Sequence, residues 1–250
     1  MKALIRDVET HFEKIGKGPS LILLHGWGNT WESWSSVIAQ LSTQYQLILP
    51  DLPSFGTSDT PKDVWNTQAY THWLDQFIQE VVKDAAYSLV GHSFGGKIAS
   101  VFAAHYHPKN LQHLVIVDAS GLPDPLPIQH VLQKRMLGFI PSHLKDLISD
   151  ETKQKLLKIN NSSTDYLNAN AYQKDVLKLI LPENIAKDLI KITTPTTIIW
   201  GESDTETPLH QGEAFHKYIP HSTFHALDTG HFPFIEKPKE FINILEKALQ

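Results

Sequence analysis

Six short apolar runs recur along this chain of 250 residues, and segments with helical patterns lie between them. The runs are apolar nearly throughout, which is typical of parallel strands that are covered by helices on both faces. The predicted strands are 20–26, 46–51, 87–92, 113–119, 196–201 and 223–228. The predicted helices are 31–42, 67–84, 93–107, 209–219 and 238–249. The alternation predicts an α/β fold, in which helices flank both faces of a mostly parallel sheet.

A long stretch without strands interrupts this alternation. Between Gly121 and about Lys191 the sequence shows only amphipathic, Lys- and Leu-rich segments, and this stretch is longer than one crossover connection needs. At the other end, residues 2–15 are predicted to supply two antiparallel strands, which brings the sheet to eight. We therefore predict a core domain of residues 1–120 and 192–250, with a helical cap of residues 121–191 inserted between strands 6 and 7.

Composition excludes several classes of function. The chain has no cysteine, which excludes disulfides, thiolate metal sites and a cysteine nucleophile. Its net charge is -5 and it has no basic runs, so the sequence shows no positively charged segment for binding nucleic acid or an anionic membrane. Charges at Arg6 and Asp7 come too early for a signal peptide, and no apolar run approaches the roughly 20 residues of a membrane span. We expect a cytoplasmic protein that acts on a small molecule without a cofactor or metal, in an oligomeric state that the sequence leaves open.

One serine stands in a distinctive setting. The segment from Gly91 to Gly95 reads G-H-S-F-G, which matches the pattern G-x-S-x-G around Ser93. A predicted strand precedes the segment and a predicted helix follows it. In such a strand–turn–helix the serine occupies a strained backbone position, and its hydroxyl is exposed at the end of the strand. We predict that Ser93 is a nucleophile.

The same residues also fit a phosphate-binding loop in part. Gly91, Gly96 and Lys97 satisfy G-x-x-x-x-G-K, and the strand that ends in Asp118 is similar to that of a magnesium site. The pattern requires Ser or Thr after the lysine as a Mg²⁺ ligand, and Ile98 stands there instead. The sequence therefore favours the nucleophile over nucleotide binding.

A serine nucleophile needs a base, and the base needs an acid to orient it. His231 follows the last predicted strand and is the best candidate for the base, ahead of His25 and His92. Asp204 follows the strand before it and is the best candidate for the acid, with Asp118 as the alternative. The resulting chain order of Ser, Asp and His is the one expected for this kind of serine turn.

Developing negative charge on a substrate oxygen requires hydrogen-bond donors. The glycines at 26 and 28 allow the backbone to turn after the third strand, where its N–H groups can face the serine. We expect the backbone N–H groups of Trp27 and Phe94 to form this oxyanion hole.

Together these segments resemble the α/β-hydrolase superfamily, and within it the small carboxylesterases and carbon–carbon bond hydrolases. The resemblance covers essentially the whole chain apart from the predicted cap, and its five motifs stand in the family's order: 25–28, 51–59, 91–96, 200–208 and 230–238. It implies a catalytic triad of Ser93, Asp204 and His231, with Trp27 and Phe94 as oxyanion donors.

The chain also departs from the family at two positions. Ser54 replaces the first glycine of the turn D-x-P-G-x-G, which we expect to affect the loop and not the chemistry. Phe232 stands where carbon–carbon bond hydrolases commonly have tryptophan after the catalytic histidine, which weakens that assignment.

The sequence therefore predicts a serine hydrolase of carboxylic esters with small to medium acyl groups. Hydrolysis of a carbon–carbon bond, lactone, thioester or amide by the same fold is the alternative, and a non-enzymatic ligand receptor on this fold is the alternative from another class. We expect the apolar faces of the cap helices, which include Leu132, Met136 and Phe139, to pack above Ser93. If some of these residues line the pocket, the acyl site is narrow and apolar; the sequence leaves open which of them do.

Overall fold

A computed structural model describes residues 1–123 and 169–250 of the chain. Eight strands form one sheet in the order β1-β2-β4-β3-β5-β6-β7-β8, in which only β1–β2 and β2–β4 are antiparallel pairs. The strands are β1 Lys2–Ile5, β2 Val8–Ile15, β3 Ser20–Leu24, β4 Gln46–Pro50, β5 Tyr87–His92, β6 Leu111–Val117, β7 Thr196–Gly201 and β8 Thr223–Leu227. The predicted fold class of an eight-stranded, mostly parallel α/β sheet is thereby confirmed.

Helices cover both faces of the sheet. Within the described ranges they are α1 Ser35–Leu41, α2 Thr67–Val81, α3 Phe94–Tyr106, α4 Ala171–Ile180, α5 Ala186–Leu189, α6 Leu209–Tyr218, α7 Pro233–Glu236 and α8 Pro238–Ala248. A 3₁₀ turn, Trp31–Trp34, leads into α1, so the predicted helix 31–42 has two parts. The short helix α7 was not predicted. No described helix has the length and apolar character that crossing a membrane would require.

The two apolar cores follow from the alternation of side chains along each strand. In β3, Ile22 and Leu24 belong to one core, which α2 to α6 cover. Leu21 and Leu23 belong to the other core, which is covered by α1, α7 and α8. All four side chains are fully buried, as expected for parallel strands in the middle of a three-layer fold. Each contributes about 1.5–3 kcal/mol by leaving water.

The strand register brings five strand ends to one edge of the sheet. Leu24 at the end of β3 is opposite Gly91 in β5, and Val117 at the end of β6 is opposite both His92 and Ile199. Gly201 at the end of β7 is opposite Leu227 at the end of β8. Because parallel strands end at the same edge, the loops that follow them meet there, which is where ligands bind in open α/β sheets.

The predicted division into a core of residues 1–120 and 192–250 and a cap of residues 121–191 stays a prediction. Most of the cap segment, together with Leu132, Met136 and Phe139, lies outside the described residues. Its described C-terminal part contains α4 and α5, which lie within the stretch of amphipathic segments that the sequence shows before about Lys191. No strand occurs in the part of this segment that the structure describes.

Helix α3 begins in unusually close contact with the sheet. A Cβ atom on Gly95 would lie 2.5 Å from the carbonyl oxygen of Leu24 and 2.6 Å from that of His25. A Cβ atom on Gly96 would lie 2.7 Å from the Cβ of Ala119. Real Cβ atoms do not approach backbone oxygens this closely, so only glycine allows the first turn of α3 to lie against the ends of β3 and β6.

This packing predicts that Gly95→Ala destabilises the protein. Alanine is intrinsically the better helix residue by about 1 kcal/mol, but overpacking against a rigid backbone costs about 1–3 kcal/mol. Because two carbonyl groups obstruct the new methyl group, we expect a cost at the upper end of this range, and hence a net loss of up to about 2 kcal/mol in the free energy of unfolding, measured with urea.

Gly230→Ala is the matched control, since the atom nearest to its added Cβ is the flexible end of Glu236, at 3.2 Å. We expect it to cost less than Gly95→Ala. Equal stabilities of the two variants would contradict the close contact of α3 with the sheet.

Candidate active site

Ser93 connects β5 to α3 in a strained conformation. Its backbone has φ 51° and ψ -114°, a region that residues with a side chain rarely adopt. The Ser93 N–H donates to the Val117 carbonyl at 2.9 Å, and the Ser93 carbonyl accepts from the N–H groups of Lys97 at 3.0 Å and Ser120 at 3.2 Å. The residue is only half-buried, whereas its neighbours His92 and Phe94 are buried. The strained turn thus presents Ser93 at the edge where the strands end.

His231 and Asp204 form a close pair in the loops after β8 and β7. His231 Nδ1 lies 2.7 Å from Asp204 Oδ2, and both residues are buried. Burial alone would raise the pKa of Asp204, but the hydrogen bonds from His231 and Thr207 outweigh it and lower this pKa to about 2. Asp204 is therefore ionised at neutral pH. Because its carboxylate can only accept, Nδ1 of His231 carries the proton and Nε2 is left to act as a base.

The turn after Asp204 fixes its carboxylate. Oδ1 accepts from the backbone N–H groups of Glu206 at 2.8 Å and Thr207 at 3.0 Å, while Oδ2 accepts from the Thr207 hydroxyl at 2.7 Å. With the bond from His231, the four acceptor positions of the carboxylate are filled. In the sequence, the only signal for Thr207 is its position three residues after an aspartate and just before Pro208, which is too weak to predict this role.

The loop that carries His231 is braced by Glu236. Its carboxylate accepts from the backbone N–H of Gly230 at 2.8 Å and from that of Phe232 at 3.3 Å. These two residues flank His231, so the bonds from helix α7 restrict the loop on both sides of the imidazole. Glu236 was also missed, because α7 is too short to show periodicity in the sequence.

His92 is not placed to act as the base. It is 1% exposed, and its ring centroid lies 4.7 Å from that of His231. Its Nε2 donates to the backbone carbonyl of His231 at 2.7 Å. Burial, and then the charge of a protonated His231, lower the pKa of His92 well below its usual value. His92 is therefore a neutral imidazole that holds the backbone of His231.

His25 is likewise structural. It is fully buried, its Nδ1 donates to the Gly26 carbonyl at 2.7 Å, and its Nε2 accepts from the Leu52 N–H at 2.9 Å. Burial lowers the pKa of His25 to about 4. Both ring nitrogens are engaged, so the imidazole fixes the loop after β3 against the end of β4.

The loop after β3 passes directly beside the serine. A Cβ atom on Gly26 would lie 3.1 Å from the Cβ of Ser93 and 3.0 Å from His92 Nδ1. Gly26 is thus needed for close approach, and Gly28, with φ 79°, supplies the turn. The Trp27 amide lies in this loop, and the Phe94 amide is at the first position of α3, where no acceptor exists within the helix. The structure therefore brings the segments of both expected oxyanion donors to Ser93.

Asp118, the alternative acid, lies close to the His231–Asp204 pair. One oxygen each of Asp118 and Asp204 and a ring nitrogen of His231 lie within 4.8 Å of one another. Asp118 Oδ1 accepts from the Gly201 N–H at 2.8 Å, and Oδ2 is buried without a hydrogen-bond partner among the described residues. Burial, and secondarily the charge of Asp204, raise the pKa of Asp118 well above its usual value.

The raised pKa favours the neutral form of Asp118, which makes it a poorer partner for an imidazolium than Asp204. The spacing of the three groups would admit a metal ion, but the donors do not suit one. Asp204 has all of its acceptor positions filled, and burial favours the neutral form of Asp118.

The buried Lys97 is engaged with groups of the protein itself. Its ammonium group is buried, donates to the Ile180 carbonyl at 2.6 Å and pairs with Glu183 at 2.8 Å. Glu183 also accepts from the Thr67 hydroxyl. Burial lowers the pKa of Lys97, against the opposing effect of Glu183. The lysine that completed the phosphate-loop pattern thus joins α3 to the end of α4.

Ser54 adopts a backbone conformation that favours glycine. Its φ is 76°, and its carbonyl accepts from the side-chain amide of Gln173 at 2.6 Å. The residue that departs from the family pattern therefore pays the cost of a left-handed conformation, roughly 1–2 kcal/mol. Among the described residues, the hydrogen bonds of Ser54 do not involve His231 or Asp204.

Comparisons with known proteins agree with this architecture. A model of the alpha/beta hydrolase family matches residues 21–244. A pimeloyl-[acyl-carrier protein] methyl ester esterase of Aeromonas hydrophila is 26% identical over 254 residues, covering 94% of this chain and 96% of the esterase. Lipase 3 of Moraxella sp. is 26% identical over 254 residues, covering 90% of this chain and 76% of the lipase. The enol-lactonase from Burkholderia xenovorans has a similar fold, with a TM-score of 0.77 at 18% identity, covering 100% of this chain and 99% of the lactonase.

The geometry predicts opposite outcomes for the two aspartates. Asp204→Asn places an amide against His231 Nδ1 and favours the wrong tautomer, so the rate of Ser93 phosphonylation by a fluorophosphonate should fall about 10³–10⁴-fold. Asp118→Asn keeps an oxygen for the Gly201 N–H and replaces one neutral group by another, so its rate should stay within about threefold of the wild type. A large loss in Asp118→Asn, with Asp204→Asn near the wild type, would assign the acid to Asp118.

Proposed function

The chain belongs to the alpha/beta hydrolase family, and we propose that it is a serine hydrolase of carboxylic esters, with a preference for small to medium acyl groups. Ser93, His231 and Asp204 are its catalytic triad, and the N–H groups of Trp27 and Phe94 are its oxyanion hole. The proposal rests chiefly on one observation: His231 Nδ1 lies 2.7 Å from Asp204 Oδ2, at the sheet edge where a strained turn also holds Ser93.

In the first half of the reaction the acyl group is transferred to Ser93. Nε2 of His231 accepts the hydroxyl proton while Oγ bonds to the ester carbonyl carbon. The oxyanion receives hydrogen bonds from Trp27 and Phe94. When the tetrahedral intermediate collapses, the carbon–oxygen bond to the alcohol breaks, and the imidazolium returns its proton to the departing oxygen.

In the second half water releases the acyl group. Nε2 of His231 removes a proton from the water as its oxygen attacks the acyl carbon, and the Ser93 oxygen leaves and regains that proton. Asp204 remains ionised throughout and stabilises the imidazolium. The balance is one ester and one water consumed, with one acid and one alcohol formed.

Ester chemistry is supported by the relatives that share most of the chain's length. The Aeromonas protein is named as a methyl ester esterase and the Moraxella protein as a lipase. Both names denote cleavage of a carboxylic ester, the reaction that a neutral serine–histidine pair performs without a cofactor. We propose that the segment 121–191 forms a cap and limits the length of the acyl chain.

The proposal predicts a bell-shaped dependence on acyl length. For p-nitrophenyl esters, kcat/KM should rise from acetate to about butyrate or hexanoate, because each buried methylene contributes about 0.8 kcal/mol, and then fall once the pocket is full. Ser93→Ala should remove turnover, whereas Ser88→Ala, at the far end of β5, should not. A steady rise to palmitate would contradict the acyl preference, and a folded, active Ser93→Ala protein would contradict the triad.

A further inference from the structure

A second carboxylate lies beside the catalytic histidine, at the ring nitrogen that is not bound to Asp204. Glu206 Oε2 is 3.5 Å from His231 Nε2, while the side chain of Glu206 is 55% exposed. The Glu206 backbone N–H donates to Asp204 Oδ1 at 2.8 Å, so the turn that fixes the acid also fixes the position of this residue. A charged group thus stands at the border between the buried triad and solvent.

Glu206 lies close to the place that the departing alcohol of the substrate must occupy. Nδ1 of His231 is bound to Asp204, so Nε2 must exchange protons with Ser93 and with the departing alcohol. The departing oxygen therefore lies about 3 Å from Nε2 when it is protonated. A substituent carried by the alcohol, and not by the acyl group, is then the part of the substrate that comes closest to the Glu206 carboxylate.

The titratable groups near Glu206 are either engaged with other residues or favoured in their neutral form. They therefore do not neutralise the negative charge of the Glu206 carboxylate. Glu236 is engaged with the backbone on both sides of His231, and Lys237 lies 3.5 Å from Asp228 and 3.8 Å from Glu240. Burial favours the neutral forms of His92 and Asp118. No ion pair of Glu206 with a lysine or arginine occurs among the residues that the structure describes.

We propose that Glu206 determines specificity for the alcohol part of the substrate, favouring esters whose alcohol carries a positive charge about two carbons from the ester oxygen. This inference rests on the proposed ester hydrolysis by Ser93. The substrate class is that of ammonium-bearing alcohol esters. An anionic alcohol would meet like charge at the same place and would be disfavoured.

The test compares two butyrate esters of nearly equal shape. Choline carries a quaternary ammonium group, and 3,3-dimethylbutanol replaces its nitrogen by carbon. Because the carboxylate is partly exposed, we expect the wild type to favour the choline ester in kcat/KM by about two- to fivefold. The ammonium group also makes choline the better leaving group, so Glu206→Gln should lower the ratio to the one that the two esters show toward hydroxide, to which all ratios are referred. Added salt should reduce the wild-type ratio because it screens the attraction.

Glu213→Gln is the matched control, since it removes the same charge from an exposed position on α6. Its ratio should equal that of the wild type. The proposal is overturned if Glu206→Gln keeps the wild-type ratio, or if the wild type shows no preference for the choline ester.

A competing role for Glu206 is an ion pair with the protonated imidazole alone. In that case Glu206→Gln would move the acidic limb of the pH–rate profile and leave the ratio of the two esters unchanged, which also overturns the proposal.

A failure of the proposed ester hydrolysis can be distinguished from a failure of the role proposed for Glu206. If neither ester is cleaved, the same comparison is made on the rate of Ser93 phosphonylation. The two phosphonates then carry choline and 3,3-dimethylbutanol as leaving groups. A twofold or larger preference for the charged phosphonate that Glu206→Gln abolishes supports the charge selection without ester turnover. Equal rates overturn it.

Discussion

The strained backbone of Ser93 is the constraint on which the rest of the site depends. Such a conformation costs about 1–3 kcal/mol and persists only where the surrounding structure enforces it. Three backbone hydrogen bonds hold Ser93, and the first turn of α3 packs against β3 through Gly95, where no larger residue fits. The glycines thus allow the close packing of α3 on the sheet, and this packing enforces the conformation of Ser93 at the sheet edge, where the loops after β7 and β8 also begin.

Electrostatics then decides which buried groups carry charge. His25, His92 and Asp118 are all buried, and burial favours the neutral form of each. Asp204 is the exception, because four hydrogen bonds offset the cost of burying its charge. An ionised acid at Nδ1, with Nε2 left to accept a proton, is the arrangement that a general base requires.

The sequence predicted the strands and the main helices because both depend on local patterns. Long apolar runs predicted β3 to β8, and the stripe of Phe241, Ile242 and Leu245 predicted α8. Glycine spacing also predicted the turn at Ser93. Contacts between distant segments could not be read in this way. The pairing of Lys97 with Glu183, the support of His231 by His92 and the position of Glu206 beside Nε2 depend on how loops meet in space.

The central claim is that Ser93 forms a covalent acyl-enzyme with the help of His231. The most direct measurement is mass spectrometry of the protein quenched with acid during turnover of p-nitrophenyl butyrate, followed by mapping of the modified peptide. The account predicts one butyryl group on Ser93 in the wild type and none in Ser93→Ala or His231→Ala. Butyryl transfer to another residue, or turnover that continues in Ser93→Ala, would contradict it.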